Sequence, residues 1–368
     1  MYRKLFALHS WLGLLSGVLL LMVSLSGVML VFMDELDPVF YKHHFYAKEQ
    51  GRRLSYDSLY TLIVQHHPAA QNIYFRDLDK TAPNKNVLFS YSIYKDGKED
   101  YIGAAINPYT GVIVSRRSER EKLSENVFGW MLRFHYSLHA GIWGELLISI
   151  LSVVFTASLI TGIVVYRKYI FRVLLFKTKL RFKNWRVISS DLHRIVGVWA
   201  LLFNLLIAIT GFWMLRFVYQ SASYKGDSVP LHTLPSRPPF SIDSALNVVK
   251  LSPGNFVPAY LNIPAGEPVY EFYGSAKGQW ATHANYSSTV LVDIRTGKVR
   301  FIQLISNASL AEKLDAAAGP LHFGWYGGFA VKLLYSLLGL SAPLLSITGF
   351  LLWWRKKKKQ NKFRQPAV

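Results

Sequence analysis

The sequence predicts a mainly α membrane protein: four transmembrane helices in two repeated halves, plus two small α+β domains outside the membrane. Three observations predict it. Four apolar runs of about 20 residues or more, roughly 10–33, 142–166, 195–215 and 328–354, meet the length needed to cross a bilayer. The runs repeat in register. His9 to Gly27 and His193 to Gly211 are both 18 residues, and His135 to Gly162 and His322 to Gly349 are both 27. Finally, the charge is one-sided. The chain carries a net +20, and residues 1–8, 166–191 and the tail from Arg355 hold 17 basic residues against one acid, Asp191. That distribution fits the positive-inside rule better than a nucleic-acid surface.

Taken in order, residues 9–33 are transmembrane helix 1, a retained anchor whose apolar run is too long for a signal-peptide core. Residues 34–134 are the first outer domain. Within it, 55–67 has helical spacing at Leu59, Leu62 and Ile63, and three alternating runs follow, the last turning at Asn107-Pro108-Tyr109-Thr110-Gly111. Helix 2 covers 140–166, a basic cytoplasmic loop 167–192, and helix 3 193–216. The second outer domain, 217–321, repeats the plan: a helix at 241–250, then strands, with Asp293-Ile294-Arg295-Thr296-Gly297 at the turn. Helix 4 covers 326–354, and 355–368 is a basic cytoplasmic tail. Detecting the duplication fixes this architecture.

The register places His9 and His193 at the cytoplasmic ends of helices 1 and 3, and His135 and His322 at the outer ends of helices 2 and 4. Ionisable groups at membrane depth are costly and usually functional. Neutral imidazole is a good axial ligand, and two of them make a six-coordinate electron-transfer haem. The small residues Gly13, Gly17, Gly141, Gly144, Gly197, Gly324, Gly327 and Gly328 would admit a flat macrocycle. His139, four residues after His135, is an alternative outer ligand; its repeat counterpart is Tyr326, which favours His135. The doublets His43-His44 and His66-His67 are weaker metal candidates, because adjacent side chains on a regular element point apart. With no cysteine, c-type haem, cysteine-held iron–sulfur clusters and disulfides are excluded. Arg194 and Arg133 are candidates to pair with haem propionates.

Leu-His near the start of helix 1, Leu-His-Arg before helix 3, Phe-His-Tyr-Ser-Leu, Leu-His-Phe-Gly before helix 4 and the two Thr-Gly hairpins resemble the PepSY-associated transmembrane family. That family includes inner-membrane ferrisiderophore reductases, and the resemblance covers essentially the whole chain. It implies four helices, two periplasmic PepSY-like domains and two b haems, with His9 and His193 on the inner haem and His135 and His322 on the outer one. The expected activity is transfer of electrons to a ferric siderophore on the periplasmic side of a bacterial inner membrane, releasing Fe(II). Trp130, Trp143, Trp325 and Tyr326 are candidates for the docking floor. No flavin or dinucleotide motif is present, so the electron donor is external, a quinol or a cytoplasmic reductase. Two alternatives stay open: a di-haem conduit to another periplasmic acceptor, and a haem-free protein whose outer domains bind peptides or regulate a protease.

Overall fold

The computed structural model describes residues 2–48, 51–95, 98–118, 121–224 and 232–362. It divides into two units: a helical one from 1–32, 131–224 and 321–368, and a sheet-containing one from 33–130 and 225–320.

In the helical unit, α1 (Tyr2–Leu30) carries no charge after Lys4 and is 29 residues long. At 1.5 Å per residue it is about 43 Å, enough to span a bilayer. In the sheet unit, α2 (Met33–Phe40), α3 (Lys42–Phe45) and α4 (Tyr56–His66) precede β1 (Asn72–Phe75), β2 (Val87–Lys95), β3 (Lys98–Ile106) and β4 (Ile113–Ser118). The chain then passes through α5 (Val127–Ser137) to the long apolar helix α6 (Ile142–Leu174).

The third expected span is broken. α7 (Trp185–Trp199) and α8 (Leu201–Met214) meet at Ala200 with a bend of 65°. The basic segment expected as a loop over 167–192 is largely helical, since α6 runs on to Leu174 and α7 starts at Trp185 behind its N-cap Asn184. The second half continues with α9 (Ile242–Lys250), β5 (Val257–Pro264), β6 (Val269–Ser275), β7 (Ser288–Asp293), β8 (Val299–Gln303) and α10 (Leu310–Phe323). It closes with α11 (Gly328–Gly339) and α12 (Ser341–Lys362). Residues 328–355 across α11 and α12 are long and apolar enough to cross a membrane. Three described spans therefore pass by length and composition, four if α7 and α8 count as one. In the bundle, α1 packs on α6 and α12, α6 also on α8, and α12 also on α7. Where α8 leaves the bend and α12 begins, buried Asn204 donates to buried Ser341 Oγ at 2.9 Å, which satisfies two polar groups at apolar depth.

The segments expected as two domains, 34–134 and 217–321, share one sheet. Their strands make one antiparallel sheet ordered β4-β3-β2-β1-β5-β6-β7-β8, joined at β1 and β5. At that seam Phe75 pairs with Leu261, its own counterpart at a repeat offset of 186. The offset also relates Gly111 to Gly297. An antiparallel pairing of equivalent residues is what a local two-fold axis produces. The alternation in β1 and β5 sends Ile73, Phe75, Leu261 and Ile263 into the core, where α4 and α9 cover them with Leu59, Ile63, Ile242 and Val249. The helices also cap one another. Asp57 of α4 accepts from Ile242 N at 2.6 Å and Ser241 Oγ at 2.7 Å. Asp243 of α9 accepts from Tyr56 N at 3.2 Å and Asp57 N at 3.1 Å. Each carboxylate thereby satisfies donors that a helix start leaves unpaired, at the positive end of the dipole.

The two Thr-Gly turns form as the sequence predicts. Asn107 Oδ1 accepts from Tyr109 N and Thr110 N, and Asp293 Oδ1 from Arg295 N and Thr296 N. Each turn closes on a left-handed glycine, Gly111 at φ 71° and Gly297 at φ 69°. Those backbone N–H bonds, with the Arg300 guanidinium, hold the Asp293 carboxyl well below the usual carboxylate range.

Candidate functional site

All four repeat-related histidines lie in the helical unit, and they come together in two pairs. The ring centres of His9 (α1) and His193 (α7) are 6.2 Å apart with planes at 76°. Those of His135 (α5) and His322 (α10) are 6.3 Å apart with planes at 61°. Each pair takes one histidine from each half of the chain. Along α1, His9 marks one pair and Gly27, which abuts His135, marks the other. The 18 residues between them rise about 27 Å.

Each ring rests against the opposite long helix of its own half. His9 Nδ1 lies 3.0 Å from the Ser158 carbonyl and 3.4 Å from Thr161 Oγ1, both on α6. His135 Nδ1 lies 2.9 Å from the Val23 carbonyl and 3.1 Å from Ser26 Oγ, both on α1. In the second half, His193 Nδ1 is 2.9 Å from Thr348 Oγ1 on α12, and His322 Nδ1 is 3.0 Å from Thr210 Oγ1 on α8.

The tautomer follows from these partners. A carbonyl only accepts, so Nδ1 of His9 and His135 carries the proton. The four hydroxyls have spent their own protons on their helices: Thr161 donates to Ala157 O and Ser158 O, Ser26 to Val23 O, Thr348 to Leu344 O and Thr210 to Leu206 O. They too accept from the imidazoles. Every ring is therefore an Nδ1–H tautomer with an Nε2 lone pair left for a metal.

A glycine sits beside each hydroxyl: Ser26-Gly27, Thr161-Gly162, Thr210-Gly211 and Thr348-Gly349. A Cβ on Gly27 would stand 2.9 Å from His135 Cε1. The corresponding distances are 3.1 Å for Gly211 to His322, 3.2 Å for Gly162 to His9 and 3.5 Å for Gly349 to His193. Thus the hydroxyl–glycine dipeptide is the seat of the imidazole, with the glycine giving the ring its room and the hydroxyl taking its proton. The sequence shows these glycines as register marks. The signal for their role was the hydroxyl residue before each one, four times over.

The geometry suits two axial ligands on one metal. Imidazoles on opposite sides of a metal, each nitrogen about 2.0 Å from it and each ring centre about 1.1 Å further, have centres about 6.2 Å apart. Among the described residues no group of three or more His, Asp or Glu side chains gathers to hold a metal ion. A macrocycle would supply the remaining ligands of a metal held by either pair.

The other candidate residues are placed as follows. His139 does not continue the helix of His135. α5 ends at Ser137, and Leu138 and His139 both take left-handed backbone conformations, φ 49° and 59°. His139 therefore does not lie one turn on along the helical face of His135, and its ring neighbours that of Phe134. The Arg194 guanidinium lies 5.9 Å from the ring centre of Tyr166 and 5.7 Å from that of Tyr169, and Tyr166 in turn meets His9 edge-on at 6.5 Å. Arg133 is an electrostatic neighbour of Glu145.

The four aromatic docking candidates have different neighbours. Trp143 packs on Tyr224, Trp325 packs on Phe323, and the Tyr326 hydroxyl bonds that of Tyr335 at 2.9 Å. Trp130 belongs to the sheet-containing unit. Of the glycines expected to admit a macrocycle, Gly13 and Gly17 instead face Ser158 and Ser346 of neighbouring helices at ordinary contact distance. The histidine doublets do not converge on a metal. His44 bonds Ser115 Oγ at 2.6 Å and burial pushes its imidazole down to about 3, while His67 stacks on Tyr91 and burial pushes it down to about 4. His66 bonds the Leu62 carbonyl of its own helix.

Residues 6–356 match the family model described as the PepSY-associated TM region. No curated protein matches the chain.

Proposed function

We infer that this chain, which belongs to the PepSY-associated TM family, carries electrons across a bilayer through two b-type haems and delivers them to ferric iron held in a siderophore. The observation that carries this reading is the double occurrence of a histidine pair at axial-ligand separation, 6.2 Å and 6.3 Å. When bound, a bis-imidazole haem supplies a reversible one-electron iron couple without an open coordination position.

The chain's own residues supply the rest. The hydroxyl–glycine seats keep all four Nε2 lone pairs available, and the apolar helices exclude water between the two pairs. Arg194, next to His193 and near the Tyr166 ring that meets His9, is a candidate to hold a propionate carboxylate, as is Arg133, two residues before His135. The basic segments flank the end of the bundle with His9 and His193, which supports a cytoplasmic position for that end in a bacterial inner membrane; a periplasmic sheet unit is part of the same proposal. His9 and His193 would hold the haem that takes one electron from a quinol or a cytoplasmic reductase, and His135 and His322 the haem that would pass one electron to siderophore-bound Fe(III), giving Fe(II), whose weaker affinity for hard oxygen ligands would free the metal. Trp143 and Trp325, both exposed, offer flat apolar contact for the chelate, and Trp130 and Tyr326 are further candidates.

The test is the absorption spectrum of the purified protein and its haem content. A b-type Soret band with two haems per chain is expected, falling to one in His9→Ala, His193→Ala, His135→Ala and His322→Ala. His139→Ala is expected to keep both. A colourless protein would favour the haem-free alternative, and two haems retained in both His9→Ala and His193→Ala would remove the inner pair from the assignment.

A further inference from the structure

We propose that Thr348 and Thr210 are positioning residues that set the reduction potentials of the two haems, one each, by accepting the Nδ1–H of His193 and His322. The proposal rests on the haem reading above and goes beyond it by separating the four seats into two kinds.

The seats look alike in sequence but differ in what takes the imidazole proton. At His9 and His135 the nearest acceptor is a main-chain carbonyl, Ser158 O at 3.0 Å and Val23 O at 2.9 Å, and the hydroxyl is the more distant partner at 3.4 Å and 3.1 Å. At His193 and His322 the order reverses. The threonine oxygen bonds Nδ1 at 2.9 Å and 3.0 Å, and the carbonyls of Leu345 and Ile207, three residues earlier, act on the same rings outside the direct hydrogen-bond geometry that Ser158 O and Val23 O have. Thr348 and Thr210 are themselves tied down by 2.7 Å bonds to Leu344 O and Leu206 O, so their oxygens cannot turn away. Each pair contains one histidine of each kind, one held by backbone and one by a side chain that substitution can remove.

A hydrogen bond from Nδ1–H makes an imidazole a stronger electron donor to its metal, which favours the ferric state and lowers the potential. Removing a threonine hydroxyl therefore raises the potential of the haem that its histidine serves. Removing Ser26 or Thr161 leaves the carbonyl acceptor in place and shifts little.

The experiment is a potentiometric titration of the full-length protein in detergent, following both haems by their α bands. Thr348→Val is expected to raise the midpoint of the His9–His193 haem alone, and Thr210→Val that of the His135–His322 haem alone. Thr348→Ser and Thr210→Ser, which keep the hydroxyl, are expected to restore wild-type values. Thr161→Val and Ser26→Ala are expected to shift their haems by much less than the Thr348 and Thr210 variants. Loss of one haem in Thr348→Val with retention in Thr348→Ser makes the same assignment. Two haems with unchanged midpoints in Thr348→Val and Thr210→Val overturn the proposal, as do equal shifts in all four hydroxyl deletions or loss of haem in the valine and serine variants alike. A colourless wild-type protein is a different result: it overturns the haem reading itself.

Discussion

Gly27 and Gly349 do the same work with different clearances, and the difference is testable. A Cβ at Gly27 would lie 2.9 Å from His135 Cε1, closer than side-chain carbons tolerate, so the ring must move. At Gly349 the same atom would lie 3.5 Å from His193, an ordinary van der Waals contact. Gly27→Ala is expected to displace His135 and lower occupancy of the haem proposed there, read as haem per protein and as a perturbed α band, while Gly349→Ala stays close to wild type. Equal tolerance of both alanines would mean that the glycines do not seat the rings. The histidines themselves were legible in the sequence because their spacing to glycine repeats without a gap. Which histidine meets which glycine was not, because that contact lies between helices and leaves no mark in local spacing. The left-handed turn at Leu138 and His139 was hidden for a related reason. Nothing in Ser137-Leu138-His139 announces a helix end, and Gly141 after them was read as space for a macrocycle.

At the scale of elements, the sequence marks α4, α9 and the two Thr-Gly turns well, since amphipathic spacing and turn residues are local signals. It does not mark β5, whose Pro258 and Pro264 read as breakers, nor the pairing of β5 with β1 that fuses two half-sheets into one. The bend at Ala200 also lies in an uninterrupted apolar run without proline. The cross-capping of α4 by Asp243 and of α9 by Asp57 is the part of the fused sheet unit most open to measurement. Losing a side-chain cap typically costs about 1 kcal/mol, within roughly 0.5–2. Asp57→Ala and Asp243→Ala should each destabilise the sheet unit by about that much. The double variant should cost less than the sum, because either deletion loosens the contact between the two helix starts. Hydrogen exchange of the α4 and α9 amides in the full-length protein measures this. Strict additivity would show that the caps are independent of each other, and exchange unchanged in α9 when Asp57 is removed would show that Asp57 does not cap it.

On the scale of the whole molecule, duplication does more than repeat a helix pair. Each half seats its own histidines, His9 and His135 or His193 and His322, yet neither half pairs them. Each pair needs both halves. The pairs are separated by about 27 Å of α1, most of the thickness of a bilayer's apolar core, and the apolar runs between them carry no cysteine and no flavin motif. Under the proposed function, a charge entering at one pair would have the other pair as its next stop. In proteoliposomes oriented with the His135–His322 end facing the bulk, an electron donor enclosed on the His9–His193 side is expected to reduce an external ferric chelate. His193→Ala should stop that transfer by removing the inner haem, while dithionite added outside still reduces the outer one and its α band remains. His322→Ala should stop the transfer too, but with the inner haem still reducible from within the vesicle. The two variants thus break one path at opposite ends. If His193→Ala passes electrons across the bilayer at the wild-type rate, the two histidine pairs do not form the path.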